Sequence, residues 1–242
     1  MTYLVRSVVM VSQKSPRTRH PLSRDRVLSA AVELADGAGL GALTMRGLAD
    51  TLDVEAMSLY YHVANKEALL DGVVEMVVEE INEAVSELPA ATGPEDWKSV
   101  MRSRILAARE VMLRHKWAPA VLETRTTMSP AVLLYHHGLL EIFRAGGVSY
   151  DLAHHALHAL GSRALGFTQE LFDPAPDSDD EEMNDEMLTE MASQVPLLIE
   201  LLGEIAHEGP DTTIGWCDDQ TEFEFGIDLL LDGIERHAGR AI

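Results

Sequence analysis

Apolar residues recur every three or four positions along most of this chain, and no stretch alternates with the two-residue period of a strand. The first such segment runs from Leu22 to Leu40. Val27, Leu28, Ala31, Leu34 and Ala35 form its stripe, Ser23 supplies a cap, and the glycines at 37, 39 and 41 end it. Lys66–Leu88 is a long helical segment carrying Leu69, Leu70, Val73, Val74, Val77, Ile81, Ala84 and Val85 on its apolar side. Pro89–Gly93 breaks the chain, and Pro94 is expected to restart a helix that continues through Trp97–Lys116. Shorter or interrupted helices are expected over Trp117–Thr124, with a kink at Pro119, and over Ala131–Ala145, Tyr150–Phe172, Met187–His207 and Gln220–Ala238. Asp173–Glu186, rich in proline and acid, reads as a connection, and Gly209–Cys217 as a loop. The pattern predicts an all-α fold.

The stretch Leu43–Leu70 carries the most information. Thr44 can cap a short helix whose Met45, Leu48, Ala49 and Leu52 share a face. Asp53-Val54 supplies a turn, with Val54 able to plug between the helices. Glu55–Tyr61 forms a second short helix. Leu59 and Val63, four residues apart, point to the core, which leaves Ala56, Met57, Ser58, Tyr60 and His62 outside. Tyr61 is expected to point inward. Asn65 then caps the long helix that starts at Lys66. Two short helices around a tight turn make a helix-turn-helix, whose second helix enters the major groove of DNA.

Here the residues carry a resemblance. TMRGLADTLDVEAMSLYYHVANKEALLD resembles the DNA-binding signature of the TetR family of bacterial repressors, most specifically in Tyr60-Tyr61-His62 and Asn65-Lys66-Glu67. Near the C-terminus, Glu222–Glu235 resembles the last helix of the tetracycline-repressor branch. The resemblance implies an N-terminal three-helix DNA-binding domain over 21–68. It also implies a larger effector-binding and dimerisation domain over 69–242. In the family pattern Thr44, Arg46, Ala56, Met57, Ser58, Tyr60, His62 and Lys66 face DNA. Ala56 and Met57 suit a thymine methyl, Arg46 a guanine, and Tyr60, His62 and Lys66 the phosphates. Where the branch has a Gln-Pro pair, this chain has Ala56-Met57, so the operator sequence is expected to differ.

Charge alters this picture only when it is divided. The net charge is −21. Residues up to Lys66 carry eight basic and six acidic side chains, and the remainder eleven and 34. Phosphate binding depends on the field at the docking face rather than on total charge. Residues 1–20, with Lys14, Arg17 and Arg19, read as a flexible arm. It is either an unstructured tail or a basic segment that reaches a minor groove. No apolar run approaches the ~20 residues of a membrane span. One cysteine, Cys217, excludes an intrachain disulfide and suits the cytoplasm.

No catalytic constellation or cofactor fingerprint stands out in the larger part, and neither a metal nor a cofactor is expected. The histidines His136, His137, His154, His155 and His158 leave two readings open. His154 and His158, four apart on one helix, can chelate a metal; otherwise these are interface or pocket residues. The family implies a small-molecule pocket, and Met101, Ile105, Trp117, Val121, Leu139, Phe143, His158 and Phe167 are its candidates. Val121 stands where the tetracycline branch has a metal-ligating histidine, and Asn82 replaces a drug-contacting one. An amphipathic or aromatic effector other than magnesium–tetracycline is therefore expected. The family also implies a homodimer on a palindromic operator, built through helices 150–172 and 220–238. Two such helices from each subunit would build a four-helix interface, with Ala153, Ala156, Leu157, Leu160, Ala164 and Phe167 on the first and Phe223, Ile227, Leu230, Leu231 and Ile234 on the second, and Gly161, Ala164 and Gly226 would permit close approach. The alternatives are a helical ligand-binding or scaffold protein that does not bind DNA, and a histidine–metal enzyme.

Overall fold

The computed structural model describes residues 21–166, 194–197, 200 and 219–239. The expected arm over 1–20, residues 167–172, Asp173–Glu186, most of Met187–His207 and Gly209–Cys217 lie outside the described residues. The described elements are helices, and no strand occurs among them. They are α1 (Arg24–Ala38), a 3-10 turn (Leu40–Ala42), α2 (Met45–Leu52), α3 (Ala56–Leu59), α4 (Lys66–Ser86), α5 (Trp97–Arg114), α6 (Ala118–Glu123), α7 (Pro130–Ala145), α8 (Tyr150–Gly166) and α9 (Asp219–Ala238).

Side-chain caps set several starts. Ser23 Oγ accepts from the Arg26 amide at 3.2 Å, Thr44 Oγ1 from Gly47 at 3.0 Å, and Asn65 Oδ1 from Ala68 at 2.8 Å. Each satisfies one of the amides that a helix start leaves without a partner. Two prolines behave differently from the expectation. Pro119 lies in the first turn of α6 and starts that helix instead of kinking it. Pro94 sits in a turn before α5, which begins only at Trp97. In that turn the Asp96 carboxylate accepts from the Thr92 amide and hydroxyl and from the Gly93 amide. The Thr92 hydroxyl, more than any other group, holds the Asp96 carboxyl below its ordinary range.

Two hydrophobic cores follow. One joins α1–α3 to α4 and continues without a break into the ends of α5, α6 and α7, from Val27 to Ala131. The other packs α5, α7, α8 and α9 around Trp97, Met101, Phe143, Phe223 and Ile227. Helix α4 lies between the head and the body, and residue 68 falls inside it. Where α4 meets α1, a Cβ on Gly72 would stand 2.6 Å from Leu28 Cδ2, so glycine admits the α1 side chain. Asn82 donates to the Ala131 carbonyl at 2.9 Å and ties α4 to α7. On the outer side of α5, Lys98 pairs with Asp232 and Glu235, and Arg102 with Glu224 and Asp228, stitching α5 to α9.

Two outcomes test this packing. Gly72→Val overpacks the α1–α4 contact and should destabilise the fold by about 1–3 kcal/mol, read as a lower denaturant midpoint. The depressed Asp96 carboxyl contributes stability above the ordinary carboxylate pKa, and that contribution is lost as the pH falls through its folded value. An Asp96→Asn protein should melt below the parent at neutral pH, and the gap should close in melts recorded below about pH 4.

Candidate nucleic-acid interface

Helices α2 and α3 meet at Asp53, whose backbone is left-handed (φ 55°). The Val54 amide then reaches the Ala49 carbonyl at 3.1 Å, and Val54 packs partly buried against the head core. Leu59 and Val63 are sealed, at 0% and 3% exposure, and anchor the second helix.

The outer surface comes from what remains. Met57 is 71% exposed, and Tyr60 44%. Thr44, Arg46 and Lys66 are exposed, and Ala56, Ser58 and His62 are half-buried. Arg46 makes no ion pair among the described residues, so its guanidinium is available to a ligand. Lys66 opens α4 beside the Asn65 cap, where the helix dipole and free amides favour an anion.

Tyr61 corrects the sequence reading. It was expected to point inward, yet it is 88% exposed. Regular helix stops at Leu59, and the His62 and Val63 amides both return to the Leu59 carbonyl at 2.9 Å. Val63 thereby takes the inward position. The spacing held the signal: Tyr61 lies two residues, about 200° of helical rotation, from Leu59. The second helix is also shorter than Glu55–Tyr61, because residues 60–62 form turns.

In the body a cavity of about 120 Å³ opens between α4, α5, α7 and α8. Of the expected pocket residues, Ile105 and Leu139 line it. Met101 and Phe143 are sealed in the second core, at 0% and 1% exposure. Trp117 and Val121 are buried in the first core. His158 is exposed and meets His154 edge to face, with ring centroids 4.8 Å apart. Phe167 lies outside the described residues.

The cavity's polar lining was missed. Arg109, 5% exposed, lies with its guanidinium 4.2 Å from the Phe223 ring centroid and donates through Nε to Gln220. His136 donates through Nδ1 to the Val132 carbonyl at 2.8 Å. Burial pushes the Tyr135 phenol up to about 12, against the opposing charge of Arg104. An arginine in a helix otherwise read for its apolar stripe was the available signal. Among the described residues no group of three or more histidine, cysteine, aspartate or glutamate side chains converges as a metal site.

The two helices expected at the seam pack on one another within one chain. Ala153, Ala156 and Leu160 of α8 pack with Phe223, Ile227, Leu231 and Ile234 of α9 inside the same chain. Leu157 and Leu230 are partly buried against that core. Gly226 makes room for Arg163, whose Nε would lie 2.6 Å from a Cβ there. The apolar groups α9 leaves outside are Phe225 (61% exposed) and Leu229 (53%), four residues apart. No described helix is long and apolar enough to cross a membrane.

Comparison with known proteins adds to this geometry. The family described as bacterial regulatory proteins, tetR family, matches residues 27–73, and the tetracyclin repressor-like C-terminal domain matches 88–238. An HTH-type transcriptional regulator of Saccharopolyspora erythraea is 39% identical over 121 residues, 50% of this chain and 49% of that protein's length. The tetracycline repressor protein class C of Escherichia coli is 29% identical over 216 residues, 89% of this chain and 91% of its own. Apo ActR from Streptomyces coelicolor superposes with a TM-score of 0.71 at 26% identity, over 92% of this chain and 99% of that one. ActR has also been solved in complex with actinorhodin.

An Asn65→Ala protein removes the α4 cap at the edge of this surface. It should lose about 1 kcal/mol of stability, measurable by urea titration.

Proposed function

The chain belongs to the tetR family of bacterial regulatory proteins, and we propose that this transcriptional regulator is a homodimeric repressor released from a palindromic operator by a small effector. The observation that carries the reading is the exposed face of Met57, Tyr60 and Arg46, set on a head whose core continues through α4 to the cavity. Met57 and Ala56 supply apolar contact to a thymine methyl. Arg46 supplies a bidentate donor to guanine, and Thr44, Ser58, Tyr60, His62 and Lys66 hold phosphates. Tyr61, as exposed as any of these, joins the phosphate-contacting set.

One head reads too few base pairs to select a site in a genome, so two heads about one helical turn apart are needed. The exposed pair Phe225 and Leu229 on α9 supports a partner there, since such a patch is costly to leave in water. The Saccharopolyspora erythraea and Escherichia coli relatives cited above are a regulator and a repressor by name, which favours this reading over an enzyme.

The cavity supports an effector with a broad apolar body and a few polar groups, met by Arg109 and His136. That ActR is solved in complex with actinorhodin supports a small-molecule effector. Asn82 is engaged with the Ala131 carbonyl and Val121 is core, so neither is placed to ligate a magnesium–drug chelate. At about 120 Å³ the cavity is smaller than the ~300–1,000 Å³ of drug-sized sites, so an effector of that size must push the lining helices apart. To reverse a fully bound population, it must favour the opened form by about 5.5 kcal/mol.

Two experiments test the reading. In mobility-shift titrations on the gene's own upstream duplex, Arg46→Ala and Tyr60→Ala should each weaken binding about tenfold or more. Lys66→Ala should reduce the salt slope by about one. Unchanged affinity in all three would contradict the docking face. A Gly161→Leu protein, whose glycine lines the cavity and has open space beside it, should keep DNA binding while losing the response to any compound that releases the parent.

A further inference from the structure

His115 closes α5 at a point where four helices meet. It is 8% exposed. Its Nδ1 lies 2.9 and 3.0 Å from the two carboxylate oxygens of Asp36, on α1 of the head. Its Nε2 lies 3.0 Å from Glu80 Oε2, on α4. A carboxylate only accepts, and a ring that donates to both carboxylates at once is an imidazolium. The surrounding groups agree with that charge. Asp36 also accepts from the Trp117 indole at 2.6 Å, and Glu80 from Arg114 of α5. Arg114 lies 3.9 Å from Glu110 on its other side. Two cations, His115 and Arg114, thus face two carboxylates, Asp36 and Glu80. The carbonyl end of α5, where the helix dipole favours positive charge, adds to the balance. Burial raises the Glu80 carboxyl, but its bonds from Arg114 and His115 outweigh that and hold it below the ordinary range.

We propose that His115 is a proton-gated latch that fastens the DNA-binding head to the body. With both protons in place, the ring bridges α1 and α4, and the Trp117 indole is held on Asp36. When the ring gives up one proton, a bare nitrogen faces a carboxylate oxygen at about 3 Å, and one of the two bridges must open. The latch is closed while Asp36 and Glu80 are ionised and the ring holds both protons, and it opens as the pH rises and the ring loses one. Its position gives it a regulatory role, because Trp117 precedes α6 directly and Leu122 of α6 lines the body cavity. At the far end of α6, Arg125 pairs with Glu67 and Asp71 of α4, a tie that keeps its charge throughout the same range. Alkaline conditions therefore loosen one of the two ends by which α6 is tied to the head and its linking helix. The inference stands on contact geometry and is independent of the effector and operator assignments.

Nuclear magnetic resonance on the full chain tests it without DNA or effector. The three tryptophans are separated by assigning Trp117 with a Trp117→Phe protein, and Trp97, packed on Phe143, serves as the internal control. At pH 7 both ring nitrogens of His115 should show the shifts of an imidazolium. As the pH is raised, the Trp117 indole resonance should move with the midpoint of the His115 ring while Trp97 stays fixed. An Asp36→Asn protein should bind the His115 proton about tenfold more weakly, a shift of about one pH unit. An His115→Arg protein, charged at every pH used, should hold the Trp117 resonance constant. A neutral His115 ring at pH 7 would overturn the proposal. So would a Trp117 resonance that ignores the His115 titration, or one that moves equally in His115→Arg. Should the substituted proteins fail to fold, the ring shifts and the Trp117 midpoint in the parent chain decide the matter alone.

Discussion

Helix α4 is buried from both sides, and the rest of the molecule depends on that burial. Val73, Val77, Ile81 and Val85 lie in the same continuous core as Val27 and Leu28 of α1 and as Val111, Trp117 and Val121 of the body. Burying such side chains contributes roughly 1.5–3 kcal/mol each, far more than the exposed ion pairs around them. The head therefore cannot pivot freely on a linker. Any rearrangement around the cavity, where Val78 and Ile81 of α4 are part of the lining, displaces the helix on which α1–α3 rest. Densely packed cores move between discrete arrangements, and that is how a small change in the body becomes a change in head position.

Polar contacts give this apolar frame its direction. At the head, caps from Ser23, Thr44 and Asn65 fix where helices begin, and so which side chains face outward. In the body, Lys98 and Arg102 fasten α5 to α9 through exposed pairs that set register more than stability. The acidic excess is concentrated after Lys66, where 34 acidic side chains face eleven basic ones, so the first 66 residues carry a much milder charge than the body.

Much of the head was legible from residue spacing alone, because its signals are local. A capping oxygen three residues before its amide, or an i, i+4 anchor such as Leu59–Val63, needs no knowledge of distant chain. Tyr61 is exposed because the turn after Leu59 hands the inward position to Val63, and its two-residue offset from Leu59 already set it on the opposite side. The body was less legible because apolar periodicity shows which face is buried but not what covers it. Met101 and Phe143 carry the same pattern as Ile105 and Leu139, yet one pair is core and the other lines the cavity. Phe223 and Ile227 close α9 on α8 of the same chain, a contact that periodicity alone does not distinguish from one between subunits. The contacts of His115 with Asp36 and Glu80 span 79 and 35 residues of sequence, beyond the reach of any local rule.

The central claim is that this head acts in pairs, docked by its exposed second helix. Counting chains per duplex tests it most directly, by sedimentation of the protein with a short duplex from its own upstream region. The account predicts two chains on one duplex at saturation, and a dimer in the absence of DNA. A single chain in solution, or one chain per duplex, would contradict it.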